Sequence, residues 1–276
     1  MDRHVEWMCK GDVIRGMFTD PPSPSPNLAI FLHGWAGDRT GPHRIFYDTA
    51  RSLADRGWAS LRFDFRGRGD SGGRTEDASI RSMTDDAVAA ISLAAEKGFR
   101  RIALIGICSG CKAAICAAAM KPEIRDLVLW SAEAMGGLRP PAARLRKGLA
   151  ALRTYIRKLA AADSWRKILR GQVNTRMVRK AILASESPDS AEKAWEAEML
   201  QRFSSFSGRI LFIYGSCDPE RDISGIHYAR FCERRRISAC FHTVQGATHS
   251  FYSLSWKREV IGRSVDWLAG NTTHTA

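Results

Sequence analysis

The clearest structural signal in this chain is Arg101-Ile102-Ala103-Leu104-Ile105-Gly106-Ile107-Cys108-Ser109-Gly110-Cys111. It is a buried apolar strand that leads into Gly-x-Cys-x-Gly and then into an alanine-rich helix. Gly106 and Gly110 leave room for a very sharp turn between strand and helix. A cysteine at the apex of that turn lies at the helix N-terminus, where backbone N–H groups favour a thiolate. The pattern is typical of a nucleophile elbow, with Cys108 as the nucleophile.

Three other interpretations of this stretch stay open at this point. Ser109 could react instead, although it is one position out of register with the two glycines. Cys108 and Cys111 could form a redox Cys-x-x-Cys pair at a helix start. Cys108 could also be an ordinary buried thiol, because free cysteines are often buried. The rest of the chain has to discriminate between these roles.

Length and composition indicate a globular enzyme. The 276 residues suffice for one large α/β domain with an inserted subdomain. The hydrophobic content of 45% and the charged content of 26% are typical of globular proteins. No apolar run approaches the roughly 20 residues of a membrane span, and the N-terminus lacks a signal-peptide core. We therefore expect no transmembrane segment.

The cysteines point to a reducing compartment. There are seven, without the spacing of a disulfide framework, which predicts a cytoplasmic location. No Cys/His set has convincing zinc spacing, so we expect no metal site, and we expect no cofactor. Five cysteines outside the elbow are expected to be small packing residues: Cys9, Cys116, Cys217, Cys232 and Cys240.

The positive charge is concentrated in one segment. Residues 134–185 contain thirteen Lys or Arg and one acid, Asp163, which accounts for +12 of the formal net charge of +13. Apolar residues within the segment recur at helical spacing and predict an amphipathic helix with basic residues off its apolar face. The apolar face is Leu145, Leu149, Leu152, Ile156 and Leu159; the basic residues are Arg146, Arg153, Arg157 and Lys158. An excess this local predicts a surface that faces an anionic partner.

Strands and helices alternate along the rest of the chain. Predicted strands cover Val5–Cys9, Val13–Phe18, Asn27–Leu32, Trp58–Phe63, Arg101–Ile105, Leu127–Ser131, Ile210–Tyr214 and Ala239–Val244. Predicted helices cover Arg44–Arg56, Thr84–Lys97, Ser109–Met120, Trp165–Leu169, Met177–Leu183, Glu192–Phe203, Ser224–Arg235 and Trp256–Leu268. This alternation predicts an α/β fold with a mostly parallel central sheet and helices on both faces. We expect residues 1–133 and 206–276 to form this core, and residues 134–205 to form a helical basic cap.

Two loops that follow early strands are expected to surround Cys108. His33-Gly34-Trp35 follows Asn27–Leu32, and the N–H groups of Trp35 and Ser109 are candidates for the two donors that an oxyanion needs. We expect His33 to pack this loop rather than to catalyse. The loop Asp64–Gly72 is interpreted as structural, with its shape held by Asp64 and Arg66, because no phosphate-binding helix follows its glycines.

An acid and a histidine follow the late strands. Asp218 comes after Ile210–Tyr214, where a residue that orients a base belongs, and it is our choice for the acid. Glu133, just past Leu127–Ser131, is the serious alternative, and Asp222 is a weaker one. His249 lies in a short loop after the last strand, downstream of the nucleophile and of all three acids.

Together these features resemble the α/β-hydrolase superfamily over nearly the whole chain, because the oxyanion turn, the elbow, the acid and the histidine occur in the order of that family. The basic residues 134–205 lie where the family inserts its cap. Cysteine in place of serine is similar to dienelactone hydrolases, and to the cysteine-dependent thioesterases and Dieckmann cyclases of natural-product pathways. A thioredoxin-like fold would not explain the other features, which disfavours the redox role.

The resemblance implies a Cys108–His249–Asp218 triad. Cys108 would attack an acyl carbon, and His249 would take the thiol proton or hold a preformed thiolate as its imidazolium partner. A thioester intermediate favours thioester substrates on coenzyme A or an acidic acyl carrier protein, which a basic cap would steer. The expected function is thioester or ester hydrolysis.

Acyl transfer or a Dieckmann-type cyclisation by the same triad is the first alternative. A non-catalytic binding protein on this fold is the second. The basic helices also suit peripheral contact with an anionic membrane, whereas no motif supports nucleic-acid binding.

Overall fold

The computed structural model of the chain describes residues 1–136 and 190–270. Eight strands in this part form one sheet. Their bounds are β1 Asp2–Cys9, β2 Asp12–Thr19, β3 Asn27–Leu32, β4 Ala59–Phe63, β5 Arg101–Ile107, β6 Asp126–Trp130, β7 Arg209–Gly215 and β8 Ser238–Val244. The spatial order is β1-β2-β4-β3-β5-β6-β7-β8. The strands from β4 to β8 in this order run parallel, and β1 and β2 are antiparallel additions at one edge.

Helices cover both faces of the sheet. The described ones are α1 Ile45–Ala54, α2 Ile80–Glu96, α3 Ser109–Met120, α4 Ser190–Phe203, α5 Ile226–Arg235 and α6 Leu254–Ala269. Short 3-10 turns cover Pro42–Arg44 and Thr75–Asp77, and a π-helical turn covers Arg221–Gly225. Buried apolar residues of α2, α3, α4 and α5 form the core on one face, and those of α1 and α6 form the core on the other. The predicted architecture is therefore confirmed.

The central strands are apolar on both sides because both faces are covered. β4 and β6 are buried along their whole length, and β5 is buried beyond Arg101. β5 lies between β3 and β6, with Leu32 opposite Gly106 and Ile107 opposite Trp130. The elbow thus leaves the middle of the sheet at its carboxyl edge, beside the ends of two neighbouring strands.

Several predicted bounds needed correction. α2 begins at Ile80, four residues before the predicted start, because Ser79 and Ser82 form a reciprocal capping box. The π-helical turn Arg221–Gly225 was not predicted.

Two of the five cysteines expected to be packing residues are not. Cys217 and Cys240 are exposed, so the prediction is wrong for them. Cys9, Cys116 and Cys232 are buried as expected.

The predicted cap lies mostly outside the described residues. This applies to the apolar stripe, to the helices predicted at Trp165–Leu169 and Met177–Leu183, and to the basic residues Arg146, Arg153, Arg157 and Lys158. Its last part, α4, is described and packs against α3, with Met199, Leu200 and Phe203 in the core. The division at residues 133/134 and 205/206 stays a prediction.

Candidate active site

Cys108 lies at the apex of a strained turn between β5 and α3. Its φ of 56° and ψ of −125° are unfavourable for a residue with a side chain. A Cβ on Gly110 would lie 2.0 Å from the carbonyl oxygen of Leu32, and one on Gly106 would lie 2.9 Å from the Cα of Cys111. Glycine is therefore required at both flanks. The tightly packed neighbours hold Cys108 in a conformation that presents its half-buried thiol at the sheet edge.

The loop after β3 lies directly against Cys108. A Cβ on Gly34 would be 3.2 Å from the Cβ of Cys108 and 3.6 Å from its Sγ. The carbonyl oxygen of Gly34 accepts hydrogen bonds from the Gly37 N–H at 3.0 Å and from the ring of His33. Because C=O and N–H point in opposite directions in a trans peptide, these bonds fix the direction of the Trp35 N–H. The Trp35 N–H thus has a fixed direction, and it stays, with the first-turn N–H of Ser109, a candidate for the two oxyanion donors.

His33 orients this peptide group rather than the sulfur. Its Nδ1 donates to Gly34 O at 2.8 Å, while its Nε2 accepts from the N–H of Phe65 at 3.1 Å. Burial lowers the pKa of His33, so the ring is neutral, as this pair of bonds requires. The prediction that His33 packs the loop is confirmed, and its hydrogen bonds add a reason why the loop has one conformation.

Arg68 supports the same loop from the other side and was missed in the sequence. Its Nε donates to Trp35 O at 2.7 Å, and its guanidinium lies 5.2 Å from the centre of the exposed Trp35 ring. Asp64 fixes the rest of the loop Asp64–Gly72 by accepting from the N–H groups of Arg39 and Asp70. Arg66 binds the carboxylate of Asp86. These contacts confirm the structural interpretation of this loop.

His249 is bound to a buried carboxylate. Its Nδ1 lies 3.1 Å from both oxygens of Asp218, which is 2% exposed. Asp218 also accepts the N–H of Glu220 at 3.0 Å. Burial alone would raise the pKa of Asp218, but hydrogen bonds from His249, Ser131 and the Glu220 amide and the charge of His249 lower it. Asp218 is therefore an ionised group that orients the imidazole ring.

The environment of His249 favours the imidazolium form. Burial works against the charged ring, but hydrogen bonds with Asp218 and with Cys108 and the charges of both outweigh it. Together they raise the pKa of His249 to about 10. At neutral pH the ring therefore carries a proton between a carboxylate and the sulfur.

Glu133 contacts the sulfur and not the imidazole. The Sγ of Cys108 donates to Oε1 of Glu133 at 3.4 Å, whereas the Nδ1 of His249 is occupied by Asp218. Asp222 is exposed and pairs with Arg221. The structure thus brings together Cys108, His249, Asp218 and Glu133. Of the two acids, Asp218 contacts the imidazole ring and Glu133 contacts the sulfur.

Cys111 does not face Cys108 as a redox partner would. Its thiol is buried and donates to Trp130 O at 3.3 Å, on the inner side of α3. Burial raises its pKa well above the ordinary value, so it is a neutral packing thiol. The Ser109 hydroxyl is also buried, at 5% residue exposure, and has no hydrogen-bond partner among the described residues. Neither geometry supports the redox role or Ser109 as the nucleophile.

Within residues 1–136 and 190–270, no group of His, Cys, Asp or Glu side chains has the arrangement of a metal site. The same part of the chain contains no helix with the length and apolarity needed to cross a membrane.

The chain belongs to the α/β hydrolase family, whose profile it matches over residues 29–262. A segment of 71 residues is 38% identical to the lysophosphatidylserine lipase ABHD12 of Bos taurus. That match covers 26% of this chain and 17% of the lipase, so it spans about a sixth of that relative.

Solved structures share the whole fold at low identity. The esterase of Pyrococcus furiosus has a TM-score of 0.67 at 20% identity, over 97% of this chain and 90% of that one. Est1E of Butyrivibrio proteoclasticus, solved with ferulic acid, has a TM-score of 0.65 at 17% identity, over 96% and 99%. The dienelactone hydrolase of Anabaena variabilis has a TM-score of 0.63 at 15% identity, over 98% and 97%. At these identities the similarity concerns the fold.

Proposed function

We propose that this protein is an acyl-transfer enzyme in which Cys108 forms an acyl-thioester intermediate. The observation that carries the proposal is the position of Cys108 at a strained turn, next to a histidine whose other nitrogen is held by a buried carboxylate. Nucleophile, base and orienting acid in this relation are the parts of a catalytic triad. The strained backbone of Cys108 and the buried charge of Asp218 both lower the stability of the fold. A catalytic role of this site explains why both are present.

In this proposal His249 is the imidazolium partner of the Cys108 sulfur. Its raised pKa supports this form over a neutral base that waits for the thiol proton. Attack on an acyl carbon places negative charge on the carbonyl oxygen. The Trp35 and Ser109 N–H groups stabilise that oxygen, since both donors are fixed before the reaction. Asp218 holds the ring in place and balances its charge.

The substrate class we favour is a thioester on coenzyme A or on an acidic acyl carrier protein. Exchange between a substrate thioester and an acyl-Cys108 thioester is nearly balanced in energy, so cysteine suits this substrate better than an oxyester. The basic sequence of residues 134–185 would attract such an anionic carrier. Water is the acceptor we favour, which makes the reaction hydrolysis.

A matched pair of substrates tests the proposal. The same acyl group is offered as a pantetheine thioester and as an alkyl oxyester, and kcat/KM is measured for both. We expect turnover of the thioester to exceed that of the oxyester, with free acid as the product. An amide, a new ester or a cyclic product would assign the acceptor to an amine, an alcohol or a carbanion instead. Absence of any acyl-enzyme across a broad acyl panel would favour a binding protein on this fold.

A further inference from the structure

The end of β6 joins the strand of the nucleophile to the strand of the acid. β6 lies between β5, which leads to Cys108, and β7, which leads to Asp218. In the peptide group between Trp130 and Ser131, the carbonyl oxygen accepts the N–H of Cys108 at 3.0 Å. The N–H of the same peptide group donates to Ile213 O on β7 at 2.8 Å. Since C=O and N–H point in opposite directions in a trans peptide, one rigid group binds both neighbours of β6.

The side chain of Ser131 adds the loop of the histidine to this connection. Ser131 is fully buried, and its Oγ donates to the carbonyl oxygen of His249 at 3.0 Å. The hydroxyl also acts on the Asp218 carboxylate. Burial raises the pKa of Asp218, and hydrogen bonds from His249 and from Ser131 help to bring it below its ordinary value. Through its hydroxyl and its own peptide group, Ser131 therefore touches all three segments of the proposed triad.

The backbone of Ser131 has a conformation that serine rarely adopts. Its φ is 49°, in the left-handed region that glycine occupies without strain. Seven of the described residues other than glycine have a positive φ, and four of these seven are exposed: Lys10, His43, Arg44 and Arg236. The remaining three belong to the site or its loops: Cys108, Ser131 and Phe251. Strained backbone away from the exposed surface is thus concentrated where the segments of the triad meet.

Glycine at position 131 would relieve this strain, and it would also remove the hydroxyl. The hydroxyl is the one polar group by which serine differs from glycine, and its acceptors belong to Asp218 and His249. A serine with a structural role alone would satisfy the buried carbonyl oxygen of His249 and do nothing for the carboxylate. A strained residue whose side chain reaches both partners of one hydrogen bond indicates a role in the geometry of that bond.

We propose that Ser131 is a positioning residue that sets the alignment of Asp218 with His249, and through it the approach of the imidazole ring to Cys108. This inference rests on the proposed acyl-transfer function. The hydroxyl proton serves the carboxylate and the His249 carbonyl oxygen, so neither can turn away without weakening a buried hydrogen bond. The Glu220 N–H holds Oδ1 of the same carboxylate at 3.0 Å. Held in this way, both oxygens of Asp218 lie 3.1 Å from Nδ1 of His249.

The role assigned to Ser131 includes no proton transfer. Its hydroxyl keeps the same hydrogen bonds while the substrate binds and reacts, and it acts only through Asp218 and His249. Binding of the substrate does not require an aligned ring, whereas the chemical step does. Loss of the hydroxyl should therefore lower kcat and leave KM nearly unchanged.

The test uses two substitutions that remove the same hydroxyl. Ser131→Ala keeps the strain at φ, whereas Ser131→Gly relieves it, so Ser131→Gly provides the measurement if Ser131→Ala folds poorly. Turnover of an acyl-pantetheine gives kcat and KM, and proton NMR follows the low-field Nδ1–H resonance of His249. We expect both variants to lower kcat about 10- to 100-fold with KM within about twofold of wild type, because small displacements of a catalytic group are costly. The His249 resonance should broaden or disappear, since its proton exchanges faster when the hydrogen bond is loose.

Thr84→Val is the matched control, because it removes a buried hydroxyl away from the site. Thr84 on α2 is fully buried, and its hydroxyl donates to the carbonyl oxygen of Ile80 at 2.8 Å. This variant should lower the free energy of unfolding, as a purely structural hydroxyl would, and leave kcat and the His249 resonance unchanged. It separates a general loss of stability from a loss of alignment.

Three results overturn the proposal: kcat of Ser131→Gly within about twofold of wild type, a His249 resonance that stays as sharp in Ser131→Gly as in the wild type, or a wild type that lacks the resonance. If the wild type never carries an acyl group on Cys108, the acyl-transfer function fails. The NMR comparison of wild type and Ser131→Gly then still decides whether Ser131 aligns the Asp218–His249 pair.

Discussion

The substitution Asp218→Asn removes the charge that holds His249 as an imidazolium. In the wild type, the pKa of His249 rises from 6.5 to about 10 despite burial, mainly through Asp218 and Cys108. At 1.36 kcal/mol per pH unit this rise corresponds to roughly 5 kcal/mol before solvent screening. The ring is 39% exposed, and we discount the figure for screening to about 2–3 kcal/mol. We therefore expect turnover at pH 7 to fall about 30- to 150-fold.

The same substitution changes the pH dependence of stability. Because the folded-state pKa of His249 lies above its unfolded value, the stabilisation is fully present below pH 6.5 and is lost as the pH rises through about 10. The free energy of unfolding of Asp218→Asn should lie below that of the wild type near pH 6, and the difference should narrow towards pH 10.

The assay is an NMR titration of the His249 imidazole combined with urea unfolding at several pH values. Asp222→Asn, at an exposed carboxylate paired with Arg221, is the control and should leave both unchanged. A His249 ring in Asp218→Asn that still titrates near pH 10 would show that Asp218 does not hold the ring in its charged form.

Three further predictions concern the elbow, the oxyanion loop and the basic segment. Gly110→Ala places a Cβ 2.0 Å from a backbone oxygen and should lower the free energy of unfolding by about 3 kcal/mol or more. The control Gly262→Ala, whose Cβ would have nothing within 4 Å, should be neutral or slightly stabilising. Equal urea midpoints for the two variants would contradict this prediction. His33→Gln should lower kcat about 10- to 100-fold with little change of KM, because the Trp35 N–H loses its fixed direction, and an unchanged kcat would contradict that role. Reversing three charges of the predicted cap should raise KM for a carrier- or coenzyme-bound thioester and leave KM for a small neutral ester unchanged. Added salt should raise KM for the same thioester in the wild type. If neither the reversals nor salt change KM for either substrate, the support for an anionic carrier is lost. The candidate charges are Arg146, Arg153, Arg157 and Lys158.

The fold and the elbow were predictable because their signals are local. Gly106 and Gly110 flank Cys108 at the spacing that a sharp strand–helix turn needs, and the structure shows why a Cβ fits at neither glycine. The apolar runs of the central strands likewise follow from burial on both faces. The late start predicted for α2 came from following its apolar pattern, since the capping residue Ser79 lies outside that pattern.

The choice between the two acids could not be made from sequence. Asp218 and Glu133 both follow strands at the same edge of the sheet, so position along the chain does not say which one reaches the histidine. Tertiary packing decides it: the tyrosines of β7 and α5 hold the Glu133 segment so that its carboxylate meets the sulfur. Hydrogen bonds to backbone carbonyls from distant elements leave no pattern in a single sequence.

The packing of the predicted cap also could not be predicted from the sequence. A period of apolar residues predicts that a helix has a buried face, but it does not identify the surface that this face covers. The end of the predicted cap, α4, packs into the core against α3 through Met199, Leu200 and Phe203. Charge and periodicity alone gave no reason to separate α4 from the helices predicted before it.

Whether Cys108 is the covalent nucleophile can be measured by peptide-resolved mass spectrometry of the protein trapped with an acyl-pantetheine. We expect an acyl group on the Cys108 peptide in the wild type and in Ser109→Ala, and no adduct in Cys108→Ala. Cys108→Ser should turn over weakly, since a hydroxyl is a poorer nucleophile in a site built for a thiolate. An acyl group on Ser109, or full turnover by Cys108→Ala, would contradict these expectations.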